Sequence, residues 1–377
     1  MRIPLSAPKI TEQDIEAVTG VLRTSSLSLG PKVGEFERAI SQYVGASDAI
    51  AVNSGTSGLR LYIRALGISE GDEVIVPSFA FIAVANAVRY ERATPVFVDV
   101  DPQTLNLDPS LLEQAITDRT RAIIVVHTFG CPSELSSILQ IARRHGLFVI
   151  EDACEAIGAE YEGQKVGALG DVGVFAFYPN KQITTGEGGA VVTNNPEIAC
   201  KVRKLRNQGR DDSEAWLQHT ELGYNYRISD INCALGIVQM KRIDSILDRR
   251  ESIARQYWQI LSCNPDLNLP SMASPHRKIS WFVYAVRLSR RFNAGHRDWI
   301  VNEMRSRGIA LGRYFAPIHL QPIYQSSAYK KAVLPVTEFH ASRSLALPFF
   351  NRIREEEIKE VCRTLVELIQ STGVAGS

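Results

Sequence analysis

The chain has 377 residues, 45% hydrophobic and 22% charged, enough apolar material for a large core and more than one lobe. Its 42 basic and 41 acidic residues leave a net charge of +1, which excludes a global field for nucleic acid or an anionic membrane and points to small molecules or copies of the chain as partners. No apolar run reaches membrane-spanning length, MRIPLSAPKI lacks a signal-peptide core, and six scattered cysteines show no C-x-x-C pair, so we expect a cytoplasmic protein with reduced, mostly buried cysteines and no metal site.

Residues Thr11 to Leu22 have helical periodicity behind a threonine cap, SSLSLG marks a loop, and Val33 to Val44 give a second helix. Within that helix Glu35 to Arg38 can equally be a solvated face. Ala49 to Val52 is a short strand that stops at Asn53, and Gly55-Thr56-Ser57-Gly58 opens a helix through Leu59, Leu61 and Leu66. Small residues and hydroxyls at a helix start present free N–H groups to an anion. The segment is neither a Walker loop nor a dinucleotide turn, and a plain Ser/Thr cap is its structural alternative. Val74 to Val76 is the next strand, followed by Pro77-Ser78-Phe79-Ala80-Phe81 and a helix through Val84 and Val88.

Pro95 to Val100, Arg121 to His127 and Gly146 to Glu151 read as strands, separated by helical stretches at Asp108 to Ile116 and Ser133 to His145. Strands alternating with helices predict a mostly parallel, doubly covered sheet whose ligands sit at the strand carboxyl ends. Asp152 lies at such an end, where it can serve a ligand or cap a loop. The run from Val172 to Asn194, VGVFAFYPNKQITTGEGGAVVTN, then reads as strand, lysine loop, strand, the last strand antiparallel after so tight a turn. A lysine in a Gly-rich loop between buried strands can be drawn out of water, favouring the neutral amine that Schiff-base chemistry needs, and Lys181 is the candidate nucleophile. Arg203 to Asp212 and Gly223 to Arg227 read as polar surface loop, and Ile228 through Arg255 as one continuous helix. Three prolines then break the pattern before a strand in WFVYAVRL, a helix from Ala294 to Arg307, a terminal helix from Ile353 to Ile369, and a frayed tail from Thr372.

Several of these segments carry a resemblance. NSGTSGL, the Glu-Asp-Ala-x-x-Ala run at Glu151, FAFYPNKQITTGEGG and Gly223-Tyr224-Asn225-Tyr226-Arg227 resemble, in this order, motifs of the DegT/DnrJ/EryC1/StrS family of sugar aminotransferases. The resemblance implies a fold-type-I α/β enzyme. We expect about seven strands in a large domain at residues 1–247 and a smaller α+β domain at 248–377. It implies pyridoxal 5′-phosphate as cofactor, linked to Lys181, with Asp152 at the pyridine nitrogen, Phe81 on the ring, and Gly55, Thr56 and Ser57 around the phosphate. Asn225 would reach the phosphate of the other subunit in a homodimer, with Arg227 beside it at the interface. His319 and Tyr314, in RYFAPIHLQ, resemble substrate contacts.

The implied reaction converts a nucleotide-linked keto sugar, 4-keto-6-deoxy or 3-keto, to the amino sugar with glutamate as donor. A dehydratase relative is the alternative, disfavoured because such relatives replace the lysine with histidine. A non-catalytic regulator is the other, with no DNA-binding segment to support it. Two departures stand out. Glu155 occupies a position that is often Gln or His beside the cofactor's phenolic oxygen, so it must be protonated, paired or turned away. Ala176 stands where many members have a phosphate-binding serine, a loss that Tyr178 or a backbone group can offset.

Overall fold

The computed structural model describes residues 1–211, 218–272, 275–325 and 332–372, so the expected fraying beyond residue 372 lies outside them. Two helices, α1 (Glu12–Leu22) and α2 (Pro31–Val44), precede β1 (Asp48–Val52), α3 (Gly55–Ala65), β2 (Glu73–Pro77), α4 (Ala83–Tyr90), β3 (Thr94–Val98) and β4 (Thr120–Val126). Next come α5 (Leu135–His145), β5 (Phe148–Asp152), the short strands β6 (Glu160–Tyr161) and β7 (Gln164–Lys165), β8 (Val172–Ala176) and β9 (Gly189–Thr193). The chain continues through α6 (Pro196–Arg206), α7 (Asp230–Lys241), α8 (Ile243–Leu261), β10 (Leu267–Asn268), β11 (Arg277–Lys278) and β12 (Tyr284–Leu288). It ends with α9 (Ala294–Ser306), α10 (Pro335–Ala341), β13 (Ser344–Leu347) and α11 (Glu355–Ser371).

Seven strands form the main sheet in the order β1-β9-β8-β5-β4-β2-β3, and β9 alone runs antiparallel to its neighbours, as the tight lysine turn requires. Strand periodicity divides the core. Ala49, Ala51, Ile123, Val125 and Phe175 pack on one face with α2, and Ile50, Val52, Ile124, Ile150 and Val174 on the other with α3 and α4. Both faces are covered, which is why these strands read as near-continuous apolar runs.

A further core joins α8, α9, α11 and the three-stranded sheet β10-β12-β13, and Ile3 belongs to it through backbone bonds to Gly308 and Ala310. The start of the chain therefore packs with the smaller lobe, and residues 247 and 248 lie inside α8, which spans both cores. Among the described residues, no helix is long and apolar enough to cross a membrane.

Other expectations change. Asp108 to Ile116 forms two short 3-10 turns, since Leu112 is its sole buried residue and offers too little apolar face to hold a helix. The continuous helix from Ile228 breaks at Arg242, whose guanidinium turns to the fully buried Asp14 at 2.6 Å. Arg203 to Arg206 are the last turn of α6, started by Asn195 and Pro196, not loop. Cys233 and Cys362 are buried, but Cys200 and Cys263 are exposed.

Glu151 fixes the end of β5. Its fully buried carboxylate accepts the N–H groups of Gly167, Leu169 and Gly170 at 2.7, 2.8 and 2.6 Å, and His127 Nε2 lies 3.0 Å away. Because His127 Nδ1 accepts the Ser133 N–H at 3.1 Å, Nε2 carries the hydrogen and donates. Burial alone would raise the Glu151 carboxyl, but His127 and the backbone donors outweigh it and hold the group below its ordinary value. We expect Glu151→Ala to lose about 3–5 kcal/mol of stability, by orphaning these donors in the interior. The sign follows from the lowered folded value: the contribution is complete above the ordinary carboxylate range and is lost as pH falls through the folded value. Urea titrations of both proteins should therefore converge in acid.

Candidate active site

The carboxyl ends of β4, β5 and β8 and the start of α3 meet around a cavity of about 480 Å³, closed on another side by Phe282, Tyr314 and Phe315. Lys181 lines it. Its Nζ is 3.5 Å from Glu155 Oε1 and 4.1 Å from the centre of the Phe282 ring, and the side chain is 14% exposed. Pro179 and Asn180 end the β8 path, and Gly188 and Gly189 let the loop return beside α3. A Cβ on Gly189 would lie 2.6 Å from the Ser54 carbonyl carbon and 2.7 Å from the Gly55 nitrogen, so the backbone approach needs glycine.

Asp152 lies in the cavity at the end of β5, in register with Val126 and Val174, and is 8% exposed. Its Oδ1 accepts the Cys154 N–H at 3.1 Å. Three residues on, Glu155 Oε2 accepts the Phe129 N–H at 3.0 Å. Burial raises the Glu155 carboxyl above its ordinary range; Lys181 and the Phe129 N–H oppose the rise and Asp152 adds to it. Of the three expectations for this departure, pairing with a cation is the one seen.

At the other wall, Gly55 and Thr56 begin α3 and line the cavity, their N–H groups lacking acceptors within the helix. A Cβ on Gly55 would meet Cys154 Sγ at 2.8 Å and the Ala176 Cβ at 2.9 Å, so the helix start sits directly on the cavity floor. Ser57 points elsewhere: its hydroxyl donates to Asn53 Oδ1 at 2.6 Å and it does not line the cavity. Ser54, the N-cap that accepts the Ser57 N–H at 3.1 Å, lines the cavity in its place. Phe81 lines the opening and is 62% exposed, whereas Phe79 is fully buried. Tyr178, half-exposed at the same wall, has the hydroxyl that Ala176 lacks.

The remaining candidates divide. Tyr314 is at the cavity, its phenol pushed up by burial and by Glu155. His319 is not. It is 3% exposed, with Nδ1 2.6 Å from Ser78 Oγ and Nε2 3.2 Å from Glu338 Oε1, so both ring nitrogens are engaged in packing the region behind Phe97. Asn225 is exposed and bridges Asn207 on the surface, and Arg227 donates to Asn207 Oδ1 at 2.9 Å. Neither lines the cavity of its own chain. Phe282, over the lysine, was missed because it sits inside a run that reads as plain strand; Ser54 was legible as the N-cap.

The DegT/DnrJ/EryC1/StrS aminotransferase family matches residues 8–366. The chain belongs to that family. It is a sugar aminotransferase of a pyridoxal-phosphate-dependent group. Similar proteins include the GDP-perosamine synthase of Caulobacter vibrioides, 40% identical over 370 residues that cover 98% of each chain. The solved structure of DesV from S. venezuelae is 36% identical, covering 97% of this chain and 98% of that one, with a TM-score of 0.90. Spr1654 of Streptococcus pneumoniae in its PLP form is 28% identical, covers 98% of this chain and 99% of that one, and has a TM-score of 0.94. The cavity fits the cofactor on its own terms: a helix start with free N–H donors for an anion, an exposed aromatic ring at the wall, a buried carboxylate, and a lysine within one enclosure.

Proposed function

We propose that this chain aminates a nucleotide-linked keto sugar, of the 4-keto-6-deoxy or 3-keto type, with glutamate as amino donor. The observation that carries the reading is the meeting of Lys181, Asp152 and the α3 N-terminus in one cavity. The name of the Caulobacter relative, a GDP-linked amino-sugar synthase, supports a nucleotide-linked substrate.

When bound, pyridoxal phosphate supplies the electron sink and carries the amino group between donor and sugar. The chain's own groups do the rest. The Gly55 and Thr56 N–H groups hold the phosphate, with Ser54 and Tyr178 at hand for hydrogen bonds, and Phe81 covers the ring. Asp152 holds a proton at the ring nitrogen. Lys181 anchors the cofactor and, once released by the donor amine, moves the proton at the substrate carbon. Tyr314 closes the sugar side. The protein acts as a homodimer in which Asn225, exposed on its own chain, completes the phosphate site of the partner, with Arg227 supporting that crossing segment.

A screen tests the reading. Protein loaded with the amine form of the cofactor is mixed with GDP-, TDP- and UDP-linked keto sugars, and return of the aldehyde form is followed by absorbance. We expect return with a sugar carrying its ketone at C4 or C3, and bleaching by glutamate in the donor half-reaction. Bleaching without return on any keto-sugar nucleotide would remove the substrate class.

A further inference from the structure

We propose that Glu155 is a second proton-transfer residue of this site, the acceptor that takes a proton from the Lys181 ammonium and leaves the neutral amine; the proposal rests on the function given above. The carboxylate is built for a directed exchange. Oε2 is pinned by the Phe129 N–H at 3.0 Å, and Phe129 is held there with φ 57°, the left-handed region that a bulky residue seldom adopts. Oε1 is left to face Lys181 Nζ at 3.5 Å. The Glu155 carbonyl also accepts Gln182 Nε2 at 2.6 Å, which ties the turn after β5 to the residue following the lysine.

Both side chains are largely out of water, at 14% exposed for Lys181 and 9% for Glu155, where a neutral pair competes well with a charged one. In the transfer an Nζ–H bond breaks and an Oε1–H bond forms. The electron pair of the broken bond stays on nitrogen as its lone pair, the pair's net charge is zero before and after, and nothing is oxidised. The groups that face Glu155 are Lys181 from the loop after β8, Asp152 and the Cys154 thiol from the end of β5, and Tyr314 from the segment after α9. Burial and Asp152 favour a protonated Glu155, while Lys181 and the Phe129 N–H favour the carboxylate. Two neighbouring carboxyl groups in different surroundings are how acid and base work are divided within one site.

The test uses full-length wild type and Glu155→Gln, freed of cofactor and exposed to pyridoxal from mildly acidic to mildly alkaline pH. Borohydride traps the adduct and peptide mapping counts it at Lys181. In the wild type the rate should be nearly flat around neutrality, because the proton passes inside the pair. In the variant the proton must leave to water, so the rate should climb about tenfold per pH unit and fall about a hundredfold below wild type in mild acid. A flat profile in the variant overturns the role of Glu155 while leaving the functional reading intact, whereas no label on Lys181 in either protein sinks both. An infrared measurement gives a second reading. Lys181→Met should keep the carbonyl stretch of a protonated carboxyl to higher pH than an ordinary exposed glutamate does, and Lys181→Met/Glu155→Gln should lack it; a stretch lost in the ordinary carboxylate range would also overturn the proposal.

Discussion

Replacing Lys181 with alanine is expected to lower transamination by about 10⁴-fold, the upper range for loss of a positioned proton-transfer group, and to abolish covalent attachment of the cofactor. Borohydride should fix the cofactor to Lys181 in the wild type and to nothing in the variant. Binding should survive, because the α3 N-terminus, Phe81 and Asp152 are untouched. Stability should change little, since Glu155 loses its cation but can take up a proton and discharge itself. The variant also tests the shared site. Lys181→Ala and Asn225→Ala, each expected to be nearly inactive, are unfolded together and refolded; random pairing makes half the dimers mixed, and each mixed dimer holds one undamaged site if Asn225 serves its neighbour. About a quarter of wild-type activity should return, a consequence of two-fold symmetry. No recovery would place Asn225 outside the neighbour's site, and borohydride labelling of another lysine would displace Lys181 itself.

What the sequence revealed here followed how local the cause was. The seven strands, the antiparallel return after the Gly-rich turn and the helix start at Gly55 are dictated by residues adjacent in the chain, and all are found. Rotational detail was less legible. Ser54 and Ser57 both carry hydroxyls near the start of α3, but the Asn53 side chain takes the Ser57 hydroxyl, so the earlier serine faces the cavity.

His319 was the harder case. Its ring is satisfied by Ser78, 241 positions away in the chain, and by Glu338, so nothing beside it in sequence distinguishes a buried packing histidine from a substrate contact. Asn195-Pro196 was a legible helix start that composition obscured, because the polar residues of α6 resemble a loop. The break at Arg242 depends on buried Asp14, 228 residues earlier, and helical periodicity runs through it unmarked.

Asp152→Asn is expected to lose about 10³-fold or more in turnover, on the scale seen when a buried aspartate that holds a partner in its working protonation state becomes an amide. The substitution is nearly isosteric. The Cys154 N–H at 3.1 Å can still donate to the amide oxygen, so the end of β5 and the cavity shape should persist. What disappears is the negative charge. The buried Asp152 carboxylate, 8% exposed, would hold a proton on the cofactor's ring nitrogen through a charge-assisted bond, and a neutral amide would not. The start of α3, proposed above to hold the phosphate, lies on another wall and is not altered, so cofactor affinity should fall far less than rate. Loss in kcat with nearly unchanged cofactor binding marks a group that acts in the transition state. Parallel loss of both would mean that Asp152 only holds the cofactor, and unchanged turnover would remove it from the chemistry. Since Glu155 remains in the variant, Lys181 should still be labelled by pyridoxal with a nearly flat profile around neutrality, though more slowly than in the wild type because Asp152 no longer favours proton uptake by Glu155, which separates the fate of the ring nitrogen from that of the lysine.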